Sequence, residues 1–387
     1  MKLALLLLLT PLLALAYSSA PDRDLPEPVT RARTEIRIPN PTDLITLKCD
    51  FHIHTVFSDG LVWPSVRADE AWRQGLDAIA ITDHLEYQPH KDDLPTNHNR
   101  STDIARGTGE PIGVIVIRGS EITRQMPPGH FNAIFLTNCN ALSVSNWTDA
   151  IAAAHAQDAF IFWNHPGWER QATNGIAVWY PEHTQIYESG MMQGIEVVNG
   201  RSYCPEAHRW AIEKKLAMMS DSDIHAPINM DYQIDNGDRR PMTLVFAKER
   251  TPESIKEALR DRRTAAYAGG FLVGDERFLR PIFEKSIQIK NASISIRGKG
   301  RALVQIANES SIDFHLARAE ELPDVDIPKE ITLPAGKTVI LEVKGTGSAA
   351  TGEKPLALPY AVRNLLIGPD QALPVTIDLT ARFTEKP

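Results

Sequence analysis

From residue 45 the chain alternates short apolar runs with helix-length amphipathic stretches. Strands are predicted at LITLKCDFH, LDAIAIT (76–82), IGVIVIRG (112–119), FNAIFLT (131–137), AFIFWN (159–164), GIEVVN (194–199), LAMMSDSD (216–223) and MTLVFAK (242–248). Between them PSVRADEAWRQG, with Pro64 near its first turn, NWTDAIAAAHAQ and CPEAHRWAIEKK carry a helical period. Strand followed by helix, repeated this often, predicts a parallel barrel or doubly wound sheet. After Tyr267 the period changes. SIQIKNASISIRG, ALVQIANES, KTVILEVKG and LPVTIDLTARF alternate at every second residue between Gly, Asn and Pro turns, which predicts a small, separate all-β domain of sandwich type.

The N-terminal MKLALLLLLTPLLALA pairs one basic residue with a leucine-rich core and a small-residue end, the pattern of a secretory signal peptide. Its apolar run is shorter than the roughly 20 residues a membrane span needs. The expected organisation is a signal peptide over 1–16, a leader or linker over 17–44, an α/β barrel over 45–275 and a C-terminal β domain over 281–387. Export to the periplasm or the extracellular space follows, with no membrane anchor after cleavage. A net charge of −8 offers no footprint for nucleic acid. Cys49, Cys139 and Cys204 are odd in number and far apart, so they make no disulfide framework and read as buried thiols.

Candidate chemistry begins in CDFHIHTVFSD (49–59). Residues two apart on a strand share a face at about 7 Å, so His52 and His54 can converge on one ion, with Asp59 on the loop beyond. Taken alone, the pair reads equally as a polar strand end. Four more histidines lie at predicted strand ends or where one begins: His84, His130, His165 and His225. Glu121 and Asp223 occupy similar places. One ion takes four to six ligands, so this many imidazoles and carboxylates imply a multinuclear site.

The set of His-x-His with a following Asp, Thr-Asp-His, Gly-x-Glu, His, Asn-His-Pro and Asp-x-His resembles the polymerase and histidinol phosphatase (PHP) family of metal-dependent phosphoesterases. The resemblance covers about residues 45–270. It implies a distorted (β/α)7 barrel holding two to three divalent ions. It also implies nine ligands: His52, His54, Asp59, His84, Glu121, His130, His165, Asp223 and His225. In the family pattern His52, His54 and Asp223 hold one ion, Glu121 bridges to a second held also by His130 and His165, and Asp59, His84 and His225 hold a third. An exported chain with an appended β domain fits neither the polymerase nor the histidine-biosynthesis branch.

The reaction implied is hydrolysis of a phosphate ester of a small organic molecule by metal-activated hydroxide. Zn, Fe and Mn all suit these ligands. Arg201 and Arg124 are candidate phosphate-binding residues, each equally readable as a solvated loop arginine. Trp168 is a candidate pocket wall or a simple packing residue. Asp59 and His225 are candidate proton donors. Asp221 is expected to orient an imidazole; Asp50 and Asp83 are expected to face away; His183 is expected at a helix start, on the surface or as a cap. Two other readings stand beside this one: an amidohydrolase-type hydrolase, though the strand-end lysine it needs is missing, and a non-catalytic binding protein on a degenerate barrel.

Overall fold

The computed structural model describes residues 31–385. The signal-peptide reading of 1–16 and the first part of the leader therefore lie outside the described residues. Residues from Arg33 onward form one compact unit. Its first half runs β1 (Ile45–Asp50), α1 (Pro64–Arg73), β2 (Ala78–Ile81), α2 (Arg100–Gly109), β3 (Ile115–Ile122), β4 (Phe131–Ile134), α3 (Trp147–His155), β5 (Phe160–Trp163), α4 (Pro181–Glu188) and β6 (Gly194–Asn199). It continues through β7 (Ser202–Tyr203), α5 (Pro205–Glu213), β8 (Ala217–Asp221), α6 (Ile228–Asp231), β9 (Met242–Ala247), α7 (Pro252–Arg260), β10 (Thr264–Ala268), β11 (Phe271–Gly274) and α8 (Glu276–Ser286).

Strands β1, β2 and β3 are parallel neighbours, and β5, β6 and β8 are parallel neighbours. β4 runs antiparallel between β3 and β5, and β9 runs antiparallel beside β1, so the sheet is not uniformly parallel. The cause for β4 is local. Residues 123–130 are too few for the crossover a parallel neighbour requires, so the chain must turn back. Along the other edge of β8 side chains replace a ladder. Ser220 N donates to Thr243 Oγ1 of β9 (2.8 Å), Met218 N donates to Thr264 Oγ1 of β10 (3.1 Å), and a single parallel bridge beyond β1 and β8 joins Ile53 to Ile224.

Alternate residues of these strands pack into one apolar cluster: Leu47, Cys49 and Phe51; Ala78 and Ala80; Phe160 and Phe162; Ala217 and Met219; Val245 and Ala247. This is the barrel interior. α7 joins it through Ile255, Ala258 and Leu259, and its first turn is capped by Thr251 Oγ1, which accepts from Ser254 N. The opposite end, at the C-termini of the parallel strands, is where such barrels present chemistry. All three cysteines are buried and free.

Beyond α8 the chain is all β: β12 (Ile287–Ile289), β13 (Ser293–Arg297), β14 (Arg301–Asn308), β15 (Phe314–Arg318), β16 (Val325–Asp326), β17 (Glu330–Leu333), β18 (Thr338–Gly345), β19 (Gly352–Gly368) and β20 (Gln371–Thr384). A four-stranded sheet (β12-β14-β18-β16) faces strands that continue the barrel sheet, because β11 pairs in parallel with β19 at Leu272↔Leu365. That ladder covers an edge the barrel would otherwise expose. The leader is no free linker from residue 33. Ile36 and Ile38 are buried, Arg33 Nη2 donates to Leu76 O (3.0 Å), and Arg37 N donates to Ser311 Oγ (3.0 Å), strapping barrel to β domain. Among the described residues no helix is long and apolar enough to cross a membrane.

Candidate metal centre

The alternation that fills the barrel with apolar side chains continues, at its open end, into polar ones. On β2 the inward series Ala78, Ala80, Thr82 reaches His84; on β3 Ile117 and Gly119 lead to Glu121; on β8 Ala217 and Met219 lead to Asp221. On β4, running the other way, Ile134 and Asn132 lead to His130. Gly194 and Glu196 lie on the same face of β6. His52 and His54 follow β1 on either side of the Ile53↔Ile224 bridge.

The structure brings all nine sequence-expected residues into one cluster. His52 Nε2 and His54 Nε2 are 3.1 Å apart. Glu121 Oε2 lies 3.3 and 3.2 Å from these two nitrogens, and Asp223 Oδ1 lies 3.1 Å from each. Ligands held about 2.0–2.2 Å from one ion are themselves about 3 Å apart, so the spacing suits a metal. Glu121 is fully buried and its carboxylate divides the cluster. Oε2 also meets His84 Nδ1 (2.9 Å), while Oε1 meets His130 Nδ1 (2.8 Å) and His165 Nε2 (3.5 Å). At the mouth, Asp59 Oδ1 lies 3.1 Å from His225 Nε2 and 3.5 Å from His84 Nε2. Among the described residues three groups have donor atoms close enough to hold an ion: His54, Asp59, His84 and His225; His52, Glu121 and His165; His52, His54 and Asp223. His54 thus falls with the mouth residues as well as with His52.

The electrostatics match a site built for cations. Burial opposes the charge of Glu121, yet the imidazoles of His84, His52 and His130 hold its carboxyl well below the usual range. Burial likewise opposes charge on Asp223, and His52 and His54 outweigh it to keep that carboxyl low. His52 is buried too, but Asp223, Glu196 and Glu121 raise its pKa well above normal. Without a cation, the cluster must hold protons on buried imidazoles to balance its carboxylates. His165 Nδ1 is buried without a hydrogen-bond partner among the described residues, and Asp59 Oδ1 accepts no well-directed hydrogen bond there. The donor set and these unsatisfied atoms fit divalent ions.

Backbone strain marks the same place. His165 (φ 31°) and Asp223 (φ 52°) are non-glycine residues in the left-handed region. Each is held there by the site itself: His165 N donates to Glu196 Oε2 (2.6 Å), and Asp223 N donates to His52 O (2.9 Å).

Several supporting residues escape the strand-end pattern. Glu196, wholly buried, accepts from His52 Nδ1 (2.8 Å) through Oε1, and from His165 N and Asn199 Nδ2 (2.9 Å) through Oε2. It fills the imidazole-orienting role expected of Asp221. Asp221 Oδ1 instead accepts from Phe51 N (2.8 Å) and Thr243 Oγ1 (3.1 Å), and burial, with Asp50 and Glu196 nearby, raises its pKa well above normal. A buried glutamate inside the apolar run GIEVVN, on the inward face, was the available signal for Glu196. Buried Arg67 of α1 donates to the carbonyls of His54 (2.9 Å) and His225 (2.6 Å), fixing two segments of the site; nothing in a helical arginine announces this. Thr123 Oγ1 sits 2.6 Å from His84 Nδ1, and His225 Nδ1 donates to Asp223 O (2.7 Å).

Asp50 and Asp83 face away from the cluster, as expected, and brace loops. Asp50 accepts from Ser222 N and from buried Arg240 (2.9 Å), and Asp83 accepts from Thr55 N (2.7 Å) and Ser58 Oγ (2.8 Å). His183 is a helix cap, its Nδ1 accepting from Tyr180 N, but it is buried against Trp163 and not on the surface. Trp168 stands at the cluster's edge, its ring 5.1 Å from that of His165 and 5.6 Å from that of His130. The two arginines are engaged elsewhere. Arg201 pairs with Asp238 (2.6 Å) and lies over Tyr232, lining a cavity with Arg239 and Phe271. Arg124 pairs with Glu86 and donates to Val144 O (2.8 Å).

Residues 287–378 match a family of Ig-like domains. No curated protein matches the chain. Among solved structures, a two-domain protein from Bacteroides vulgatus, described as containing a predicted PHP-like metal-dependent phosphoesterase, is 45% identical with a TM-score of 0.85. The match covers 90% of this chain and 100% of that one. A protein from Bifidobacterium adolescentis assigned as a metal-dependent phosphoesterase is 19% identical over 46% of this chain and 87% of that one (TM-score 0.35). An amidohydrolase from Chromobacterium violaceum is 15% identical over 47% and 88% (TM-score 0.36). These last two likenesses are too low to bear on activity. The first suffices: this chain belongs to the PHP-like metal-dependent phosphoesterases, hydrolases that here carry a C-terminal Ig-like domain.

Proposed function

We propose that the cluster holds two to three divalent ions, as a trinuclear centre when full, and hydrolyses a phosphate ester of a small organic molecule. The observation that carries this reading is the convergence of six imidazoles and three carboxylates in one cluster, with five of the imidazoles on Glu121, whose two oxygens face different halves of it. Ions bound there supply a nucleophilic water at neutral pH and neutralise the phosphoryl oxygens.

The chain's own residues do the rest. Glu121 would lend one carboxylate oxygen to each half of the cluster. Glu196 holds the Nδ1 proton of His52, leaving Nε2 as the lone pair aimed inward. The Asp223 carbonyl does the same for His225, whose Nε2 then faces Asp59. With side chains 36% and 26% exposed, His225 and Asp59 are the most accessible members of the cluster. When the mouth position holds no ion, a proton carried on His225 Nε2 against Asp59 can be handed to the departing alcohol oxygen. Export is proposed with this activity: the mature chain should begin after residue 16, and an intact Met1 on protein recovered from cells would contradict it.

The test is elemental analysis of the purified protein, followed by phosphate release from phosphomonoesters and phosphodiesters, with amides and lactones alongside. More than one metal equivalent and phosphate release are expected. A chain that takes up no metal on titration overturns the proposal, and cleavage of amides or lactones alone would make the protein an amidohydrolase.

A further inference from the structure

A cavity of about 570 Å³ opens beside the cluster. His165, Glu196 and Asn199 form its inner end, and Trp168, Arg170 and Tyr203 its outer part. Gly167 makes one wall thin, because a Cβ there would meet Gly175 O at 3.0 Å. Trp168 and Tyr203 are each 38% exposed, so both rings meet solvent along the cavity.

The order of groups along this cavity is informative. The imidazole of His165 comes first, then the Trp168 indole against it, then Arg170, whose guanidinium carbon lies 5.5 Å from the Trp168 ring centre. Arg170 is exposed and makes no ion pair among the described residues, although Glu169, its chain neighbour, lines the same cavity. Arg201, Arg124, Arg67 and Arg240 are all paired. A planar cation resting on an indole keeps its in-plane N–H donors free for a carboxylate.

We infer that this cavity receives the organic part of the ester, that Trp168 and Tyr203 select an aromatic ring there, and that Arg170 selects a carboxylate on its far side. The substrate class is thus an aromatic phosphate ester carrying a second, anionic group. This rests on the phosphoesterase reading for the phosphate end only. Ring and carboxylate recognition are carried by the cavity itself.

The experiment uses the full mature chain loaded with Mn²⁺. Kd is measured by calorimetry for methylphosphonate, benzylphosphonate and 4-carboxybenzylphosphonate, and phosphate release is measured from phenyl and 4-carboxyphenyl phosphate. The carboxylated ligand should bind about tenfold tighter than benzylphosphonate, as a charge-assisted pair allows. Arg170→Gln should bring that ratio to near one, and Arg170→Lys should leave it intermediate. Trp168→Leu should lower the preference for benzyl over methyl about tenfold. Ratios near one in the wild type, or unchanged in the variants, overturn the assignment even if phosphate is released. The expected ratios without phosphate release from any ester would uphold the cavity assignment and sink the phosphoesterase reading instead.

Discussion

Replacing Glu196 by Gln tests whether a buried carboxylate sets the tautomer of a metal ligand. Glu196 accepts three hydrogen bonds, from His52 Nδ1 (2.8 Å), His165 N (2.6 Å) and Asn199 Nδ2 (2.9 Å), with its side chain fully buried. An amide has one accepting end. If its oxygen faces His52, its NH2 meets two donors, and a strained His165 backbone loses its tether. If its oxygen faces His165 and Asn199, its NH2 meets His52 Nδ1, and the imidazole must carry its proton on Nε2, pointing at the ion. The first arrangement leaves buried donors unpaired at about 1–3 kcal/mol each; the second removes a ligand. Either lowers metal affinity by about 10–100-fold. The assay is metal titration against a competing chelator, with phosphate release followed at each metal concentration. Activity should return substantially when metal is raised. A Kd within twofold of wild type, with unchanged turnover, would refute the tautomer argument.

Three further outcomes follow from single residues. A Cβ at Gly60 would meet Thr55 N at 2.6 Å and His54 carbonyl carbon at 2.7 Å, so Gly60→Ala must displace the loop between His54 and Asp59; turnover should fall at least about tenfold, and wild-type kinetics would contradict the packing. Asp223 has φ 52°, so in metal-free protein Asp223→Gly should be about 1 kcal/mol more stable than Asp223→Ala by urea unfolding, and equal midpoints would remove the strain. Burial lowers His183 to a pKa of about 4. The unfolded chain, near 6.5, then binds more protons between these values, so stability is full above pH 6.5 and falls by up to about 3 kcal/mol as pH drops towards 4. The wild type should therefore lose more stability than His183→Gln between pH 7 and 4.5, and equal losses would contradict it.

The site was legible because its chemistry sits where strands end. A histidine or carboxylate closing an apolar run is visible in one dimension, and seven such positions recur from His52 to His225, with His130 opening a run and Asp59 on the loop beyond one. What lies between the ends was harder to read. Glu196 is in mid-strand, and only the shared inward face of Gly194 and Glu196 points to it. The partners of Arg67 and Arg201 come from distant segments, His225 and Asp238, that no spacing connects. The reversal at β4 was readable from its eight-residue connection, whereas the Leu272↔Leu365 ladder that joins barrel to Ig-like domain depends on an edge meeting that local pattern does not encode. No motif or spacing singles out Arg170; its place over the Trp168 ring appears only in three dimensions.

The central claim is that one buried carboxylate spans a metal cluster that hydrolyses phosphate esters. Phosphate release from a phosphomonoester by the metal-loaded protein, compared between wild type and Glu121→Gln, tests it most directly. The account predicts a loss of at least about a thousandfold in turnover, since Glu121 touches both halves of the site. Equal phosphate release by the two proteins would contradict it.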